Sequence, residues 1–144
     1  MKRMVSSMMS REVCVVDMDD TLASVEQRLT ERRLSWAPVL EAQGPVIGVI
    51  GAADLLRFHA QGGDAQAVRA WQMCSFKPMT VPADADLVDV ARSMVERHIH
   101  HVVVTEGAGV VGVLSSLDFV REFASRRGDG TPPAGKDRTG KVAT

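Results

Sequence analysis

Apolar positions along the chain follow two alternating rhythms. Leu22, Val25 and Leu29, and later Leu87, Val90 and Met94, keep a three-then-four spacing that lines one face of a helix. Short β-rich runs, Val13-Cys14-Val15-Val16 and Met79-Thr80-Val81, stand ahead of those helices. Two apolar runs follow each helix. They are Trp36-Ala37-Pro38-Val39-Leu40 with Val46-Ile47-Gly48-Val49-Ile50, and Val102-Val103-Val104 with Val110-Val111-Gly112-Val113-Leu114. Glycine-containing turns join each pair, which predicts two hairpins. A helical pattern returns over 52–60 and 116–126. Each half therefore reads β-α-β-β-α.

The halves also match residue by residue. Leu22 corresponds to Leu87, Val25 to Val90 and Leu29 to Met94, all at an offset of 65. Gly48-Val49-Ile50-Gly51-Ala52-Ala53-Asp54 corresponds to Gly112-Val113-Leu114-Ser115-Ser116-Leu117-Asp118 at an offset of 64. The slip of one residue falls between Glu41-Ala42-Gln43-Gly44-Pro45 and Glu106-Gly107-Ala108-Gly109, turn-rich loops where an insertion costs little. Acidic residues (Asp19, Asp20, Asp84, Asp86) sit near the helix starts, where the helix dipole favours them. Gly62-Gly63-Asp64 breaks the chain, and Asp64 is placed to cap a short linking helix through Met73, with Val68 and Trp71 on one side. These signals divide the chain into repeats at 1–61 and 77–127, a linker helix at 62–76, and a Gly- and Pro-containing tail at 128–144 that reads as disordered.

Composition narrows the function. With 144 residues and 45% hydrophobic content the chain can bury a core. The net charge is −1, and five Lys/Arg against two acids lie from Arg126 onward, so residues 1–125 carry −4. An acidic body, 4% aromatic residues and no tyrosine argue against nucleic-acid binding. Cys14 and Cys74 stand sixty positions apart and read as reduced, packed thiols. No apolar segment follows the basic N-terminus and no apolar run approaches a membrane span, so a soluble, cytoplasmic protein is expected. Met4, Met8, Met9, Met73 and Met79 read as fillers of irregular packing gaps or as an adaptable partner surface.

Catalytic chemistry finds no support: no Ser-His-Asp ordering, thiol–imidazole pair, metal quartet or glycine-rich phosphate loop is present. His98, His100 and His101 lack a Cys, Asp or Glu at ligand spacing, so no metal site is expected. They read instead as a helix-end charge and as polar contacts of a cleft. Ser115, at a strand-to-helix turn, would present a hydroxyl beside the unpaired amides of a first helical turn, a setting that favours anionic oxygens. Asp118 lies one turn further, where its carboxylate can accept from two adjacent hydroxyls. A purely structural alternative stands beside this: Ser115 or Ser116 as a helix cap, with Asp118 paired to Arg121.

Two β-α-β-β-α copies, each ending in Gly-hydrophobic-hydrophobic-(Ser/Thr)-x-x-Asp, resemble tandem CBS domains, the pair known as a Bateman module. Gly51 replaces the usual hydroxyl in the first copy. The resemblance implies an α/β (α+β) fold with two repeats packed through their sheets about a pseudo-twofold axis. It also implies a non-catalytic regulatory module that binds AMP, ADP, ATP or S-adenosylmethionine, needs no cofactor, and signals to itself or to a regulated partner protein. By the same resemblance Asp118 holds the ribose, Ser115 and Ser116 contact the ligand beside it, and the base lies between Thr80-Val81-Pro82 and His101-Val102-Val103. A weaker second site would comprise Val16, Trp36, Ala37, Pro38, Gly51 and Asp54. Arg121, Arg57 and Lys77 are candidate phosphate contacts, and a homodimer joined through helix faces is expected. The alternative is a structural dimerisation or scaffold module with degenerate sites.

Overall fold

A computed structural model describes residues 3–128, the side chains of 127 and 128 excepted. The tail expected at 128–144 lies outside the described residues beyond Gly128. The first copy contains β1 (Val16–Asp17), α1 (Leu22–Arg32), β2 (Trp36–Leu40), β3 (Val46–Gly51) and α2 (Ala52–Ala60). Next come α3 (Ala70–Met73) and β4 (Ser75–Phe76). The second copy contains β5 (Met79–Pro82), α4 (Leu87–Arg97), β6 (His101–Glu106), β7 (Gly109–Ser115) and α5 (Ser116–Gly128). One sheet runs β1-β2-β3-β4 and the other β5-β6-β7. In each, the first strand is parallel to the second and the second antiparallel to the third.

Equivalent helices begin and end by the same devices. Thr21 Oγ1 accepts from the Ser24 amide at 3.1 Å and starts α1. Asp86 does so for α4 by accepting from Asp89. Arg33 (φ 56°) and His98 (φ 54°) close the two helices in the left-handed conformation. Between those ends Leu22, Val25 and Leu29 are buried in one core and Leu87, Val90 and Met94 in the other. The spacing read from the sequence thus marks the buried faces.

The segment that precedes each copy packs into the core of the other. Val5 and Met9 are buried with Met79, Leu87 and Leu114 of the second copy. Ala70 and Cys74 are buried with Leu22, Val25 and Ile50 of the first. The backbone bonds repeat at the same offset: Val5 N–H to Ala85 O matches Ala70 N–H to Asp20 O, and Leu87 N–H to Arg3 O matches Leu22 N–H to Val68 O. Ser10 bridges Val113 beside β7, as Ser75 of β4 pairs with Val49 of β3. Arg3 also forms an ion pair with Glu122 on α5. The two glycines of the motif allow these approaches. A Cβ on Gly48 would stand 2.5 Å from Ser75 O, and one on Gly112 would stand 2.4 Å from Met9 Sδ.

Two expectations need correction. The linking helix does not start at Asp64; that carboxylate accepts from the Gln66 amide in a turn, and helix is confined to Ala70–Met73. The opening strand of the first copy is only Val16–Asp17. Met9 and Met79 are buried in the second core, which agrees with the packing reading of these methionines rather than the partner-surface one.

Candidate ligand cleft between the repeats

β7 ends at Ser115 and α5 starts at Ser116 without an intervening loop, so Asp118 folds back one turn onto the junction. Its Oδ2 accepts from the Ser115 amide at 2.8 Å and from Ser115 Oγ at 3.2 Å. Arg121 is 3.7 Å from the other oxygen. The first copy repeats the motif: Asp54 Oδ2 accepts from the Gly51 amide at 2.9 Å, and Arg57 donates to Oδ1 at 2.7 Å. Each carboxylate thus closes back onto the last strand residue ahead of its helix; Asp118 stands beside Arg121 as the structural alternative expects, while the Ser115 hydroxyl donates to Asp118.

The two mouths open differently. Ser115, Asp118 and Arg121 face Ser10, Glu12 and Cys14 of the opening segment, and Arg33, Leu34, Ser35, Trp36 and Pro38 ahead of and within β2. These residues enclose a cavity of about 310 Å³. The cleft thus draws its acid and hydroxyl from one copy and its aromatic wall from the other. Trp36 stacks on His101 with ring centroids 4.5 Å apart and planes tilted by 31°. These residues are 65 positions apart in the repeat, so equivalents meet face to face, as a pseudo-twofold axis requires. Burial and neighbouring His100 hold the His101 pKa below its usual 6.5, against a smaller opposing pull from Asp54. Burial, with the Asp54 charge, likewise raises the Cys74 thiol pKa.

Several residues expected around Asp118 lie elsewhere. Thr80, Val81 and Pro82 border a separate cavity of about 680 Å³ with Met4, Arg11, Asp84 and Glu106. The reason is topological: β6 lies between β5 and β7, so β5 stands two strand spacings, roughly 9–10 Å, from Ser115. Val102 and Val103 have no exposed surface, and Val102 packs in the core of the second copy. Ser116 is the first residue of α5 and donates its amide to His100 O rather than lining the cleft. His101 pairs with Ser115 across the β6–β7 ladder, and its ring is engaged by Trp36.

Around Asp54 the placement also differs. Val16 and Ala37 are buried core residues. Trp36 and Pro38 face Asp118 rather than Asp54. Gly51 remains at its junction, with Trp36 beside it in the β2–β3 ladder. The sequence reading missed Ser10, Glu12, Cys14 and the Arg33–Ser35 stretch as cleft residues. The segment exchange brings Ser10 there, and the packing of the first copy against the second brings Arg33–Ser35; the signal available was Met8-Met9-Ser10 against Met73-Cys74-Ser75, which places residues 8–10 beside the second copy.

A family model described as CBS domain matches residues 5–60 and 69–125. The chain belongs to the CBS domain family. CBS pairs of known structure carry the same architecture. One is the CBS domain pair of protein MJ0100 in complex with 5′-methylthioadenosine and S-adenosyl-L-methionine. It has a TM-score of 0.78 and 20% identity, covering 88% of this chain and 99% of that one. Another is a hexameric CBS-CP12 protein from bloom-forming cyanobacteria, with a TM-score of 0.74 and 21% identity, covering 83% and 67%. Arabinose 5-phosphate isomerase KpsF of Escherichia coli O6:H1 (strain CFT073) is 29% identical over 115 residues. That match takes in 79% of this CBS pair and 35% of the isomerase, so the chain spans about a third of that relative's length.

Proposed function

We propose that this CBS pair is a non-catalytic regulatory module that binds an adenosyl ligand (AMP, ADP, ATP or S-adenosylmethionine) in the Asp118 cleft. The supporting observation is the convergence of Ser115, Asp118 and Trp36 on one cavity. The carboxylate is placed for the paired hydroxyls of a ribose, and the aromatic wall for a base. A ligand there touches both copies, so its binding energy bears on how they sit together, which is the route to a conformational signal. The similarity to a CBS pair holding adenosyl compounds supports the ligand class. No cofactor is required beyond this regulatory ligand.

The recipient of the signal is a second copy or a regulated partner protein. Val88, Val95, Leu117, Val120 and Phe123 are exposed on α4 and α5, a face suited to homodimer formation. Among the described residues no helix is long and apolar enough to cross a membrane. The unpaired Cys14 and Cys74 suit the reducing cytoplasm, where we place the module. A scaffold module with degenerate sites is the second reading, favoured by Asp54, whose two oxygens are both engaged by its own helix.

Thermal unfolding with each ligand at millimolar concentration separates the two. A ligand at a hundred times its Kd stabilises the native state by about 2.7 kcal/mol, which raises Tm by several degrees. No shift with any of the four compounds leaves the scaffold reading.

A further inference from the structure

The cavity of about 680 Å³ beside β5 shares no lining residue with the Asp118 cleft. It lies past the carboxyl ends of the parallel strands β5 and β6, the position at which open α/β sheets take their ligands. Met4, Met9, Val81, Pro82 and Val111 give it an apolar wall. Three charges stand on its border, Arg11 against Asp84 and Glu106. Among the described residues none of the three forms an ion pair, although they share one cavity. Arg11 also borders a space beside Glu12 and Arg32, and it is unpaired there as well.

The same place in the first copy is closed by the chain itself. Val15, Val16, Asp17 and Leu40, the counterparts of Thr80, Val81, Pro82 and Thr105, line a space of only about 340 Å³. Arg28 borders that space from α1, donates to the Val15 carbonyl at 2.9 Å and pairs with Asp20. The counterparts of Arg28 and Asp20 are Ser93 and Ala85, so the second copy has neither this cation nor its partner. Arg11 in turn corresponds to Phe76, so the first copy has no cation at that position. One copy satisfies the site from its own side chains. The other leaves charges of both signs around an open cavity.

We infer that this cavity binds a small zwitterion with an apolar body, an apolar amino acid or a short peptide of such residues. The ligand's ammonium takes the place that the Arg28 guanidinium fills in the first copy, with Asp84 and Glu106 as its acceptors. Its carboxylate meets the guanidinium fork of Arg11. Its side chains lie on Met4, Val81 and Val111. A volume of about 680 Å³ falls within the range of small-molecule sites. The inference does not depend on the adenosyl reading of the Asp118 cleft.

The test is calorimetric titration of the full chain with L-leucine and leucyl-leucine, each beside its C-terminal amide and its N-acetyl derivative. It is repeated on Arg11→Ala and on Asp84→Asn/Glu106→Gln, whose changed side chains are exposed. At least one zwitterion should bind, at least about tenfold more tightly than either of its singly charged derivatives. In Arg11→Ala its advantage over the amide should vanish, and in the carboxylate variant its advantage over the N-acetyl derivative. Asp118→Ala should bind it as the parent does. Absence of binding by both zwitterions overturns the inference, as does equal affinity for the singly charged derivatives or unchanged affinity in both variants. Loss of binding in Asp118→Ala would put the ligand in the other cleft and overturn it too.

Discussion

Asp54 and Asp118 occupy equivalent places, 64 residues apart, at the starts of α2 and α5. Asp54 is closed over: its side chain is 12% exposed and gripped by Arg57. Asp118 is 29% exposed, its arginine stands off at 3.7 Å, and a serine hydroxyl shares the mouth. One motif thus stands in two settings, closed at Asp54 and open at Asp118, where the proposed ligand would bind. The neighbours decide, chiefly whether the arginine at i+3 closes the ion pair or leaves it open. Exposed pairs of this kind contribute little to stability, so an open one is cheap to keep.

The largest effect should come from breaking the segment exchange that sets the two settings apart. Val5 is fully buried in the second core, so Val5→Asp strands a charge there and should cost roughly 4 kcal/mol or more in denaturant unfolding. Ala70→Asp should do the same to the first core. A mild effect of Val5→Asp would mean that residues 3–10 are not integral to the second copy.

Next come the paired glycines. A Cβ on Gly48 meets the Ser75 carbonyl at 2.5 Å, a backbone atom that cannot move alone. At Gly112 the nearest atom is the flexible Met9 thioether. Gly48→Ala should therefore lower stability by about 2–3 kcal/mol and Gly112→Ala by less, near 1 kcal/mol. Equal losses would contradict the difference in packing.

The carboxylates themselves should separate stability from binding. Asp54→Ala removes a buried helix-start acceptor and should cost about 1–2 kcal/mol while leaving ligand affinity unchanged. Thermal melts and ligand titration on the same sample read both quantities.

The smallest effect concerns His101. The fold keeps its pKa below the usual 6.5, so the unfolded chain takes up this proton first. Its contribution is fully present above pH 6.5 and is lost as pH falls from there to the lower folded pKa. His101→Gln should flatten the stability profile below about pH 6.5 relative to the parent, a change read from urea midpoints.

Much of this was legible in the sequence because local physics decides it. The spacing of Leu22, Val25 and Leu29 and its copy at Leu87, Val90 and Met94 marked the buried helix faces, and the hairpins followed from the runs they join. Ser115 and Asp118 were legible as partners because three residues across a helix start must meet. The walls of their cleft were not. Thr80 and Ser115 belong to one repeat, yet β6 separates their strands, while Trp36 from the other repeat faces the mouth. Which copy lends which wall depends on how residues 3–10 cross over, and that segment carries almost no periodic signal.

Calorimetric titration of ATP into the parent chain, Asp118→Ala and Asp54→Ala tests the central claim most directly. Saturable binding in the parent and in Asp54→Ala, and its loss in Asp118→Ala with the fold intact, is the predicted result. Binding that survives Asp118→Ala and disappears in Asp54→Ala would contradict the assignment of the cleft.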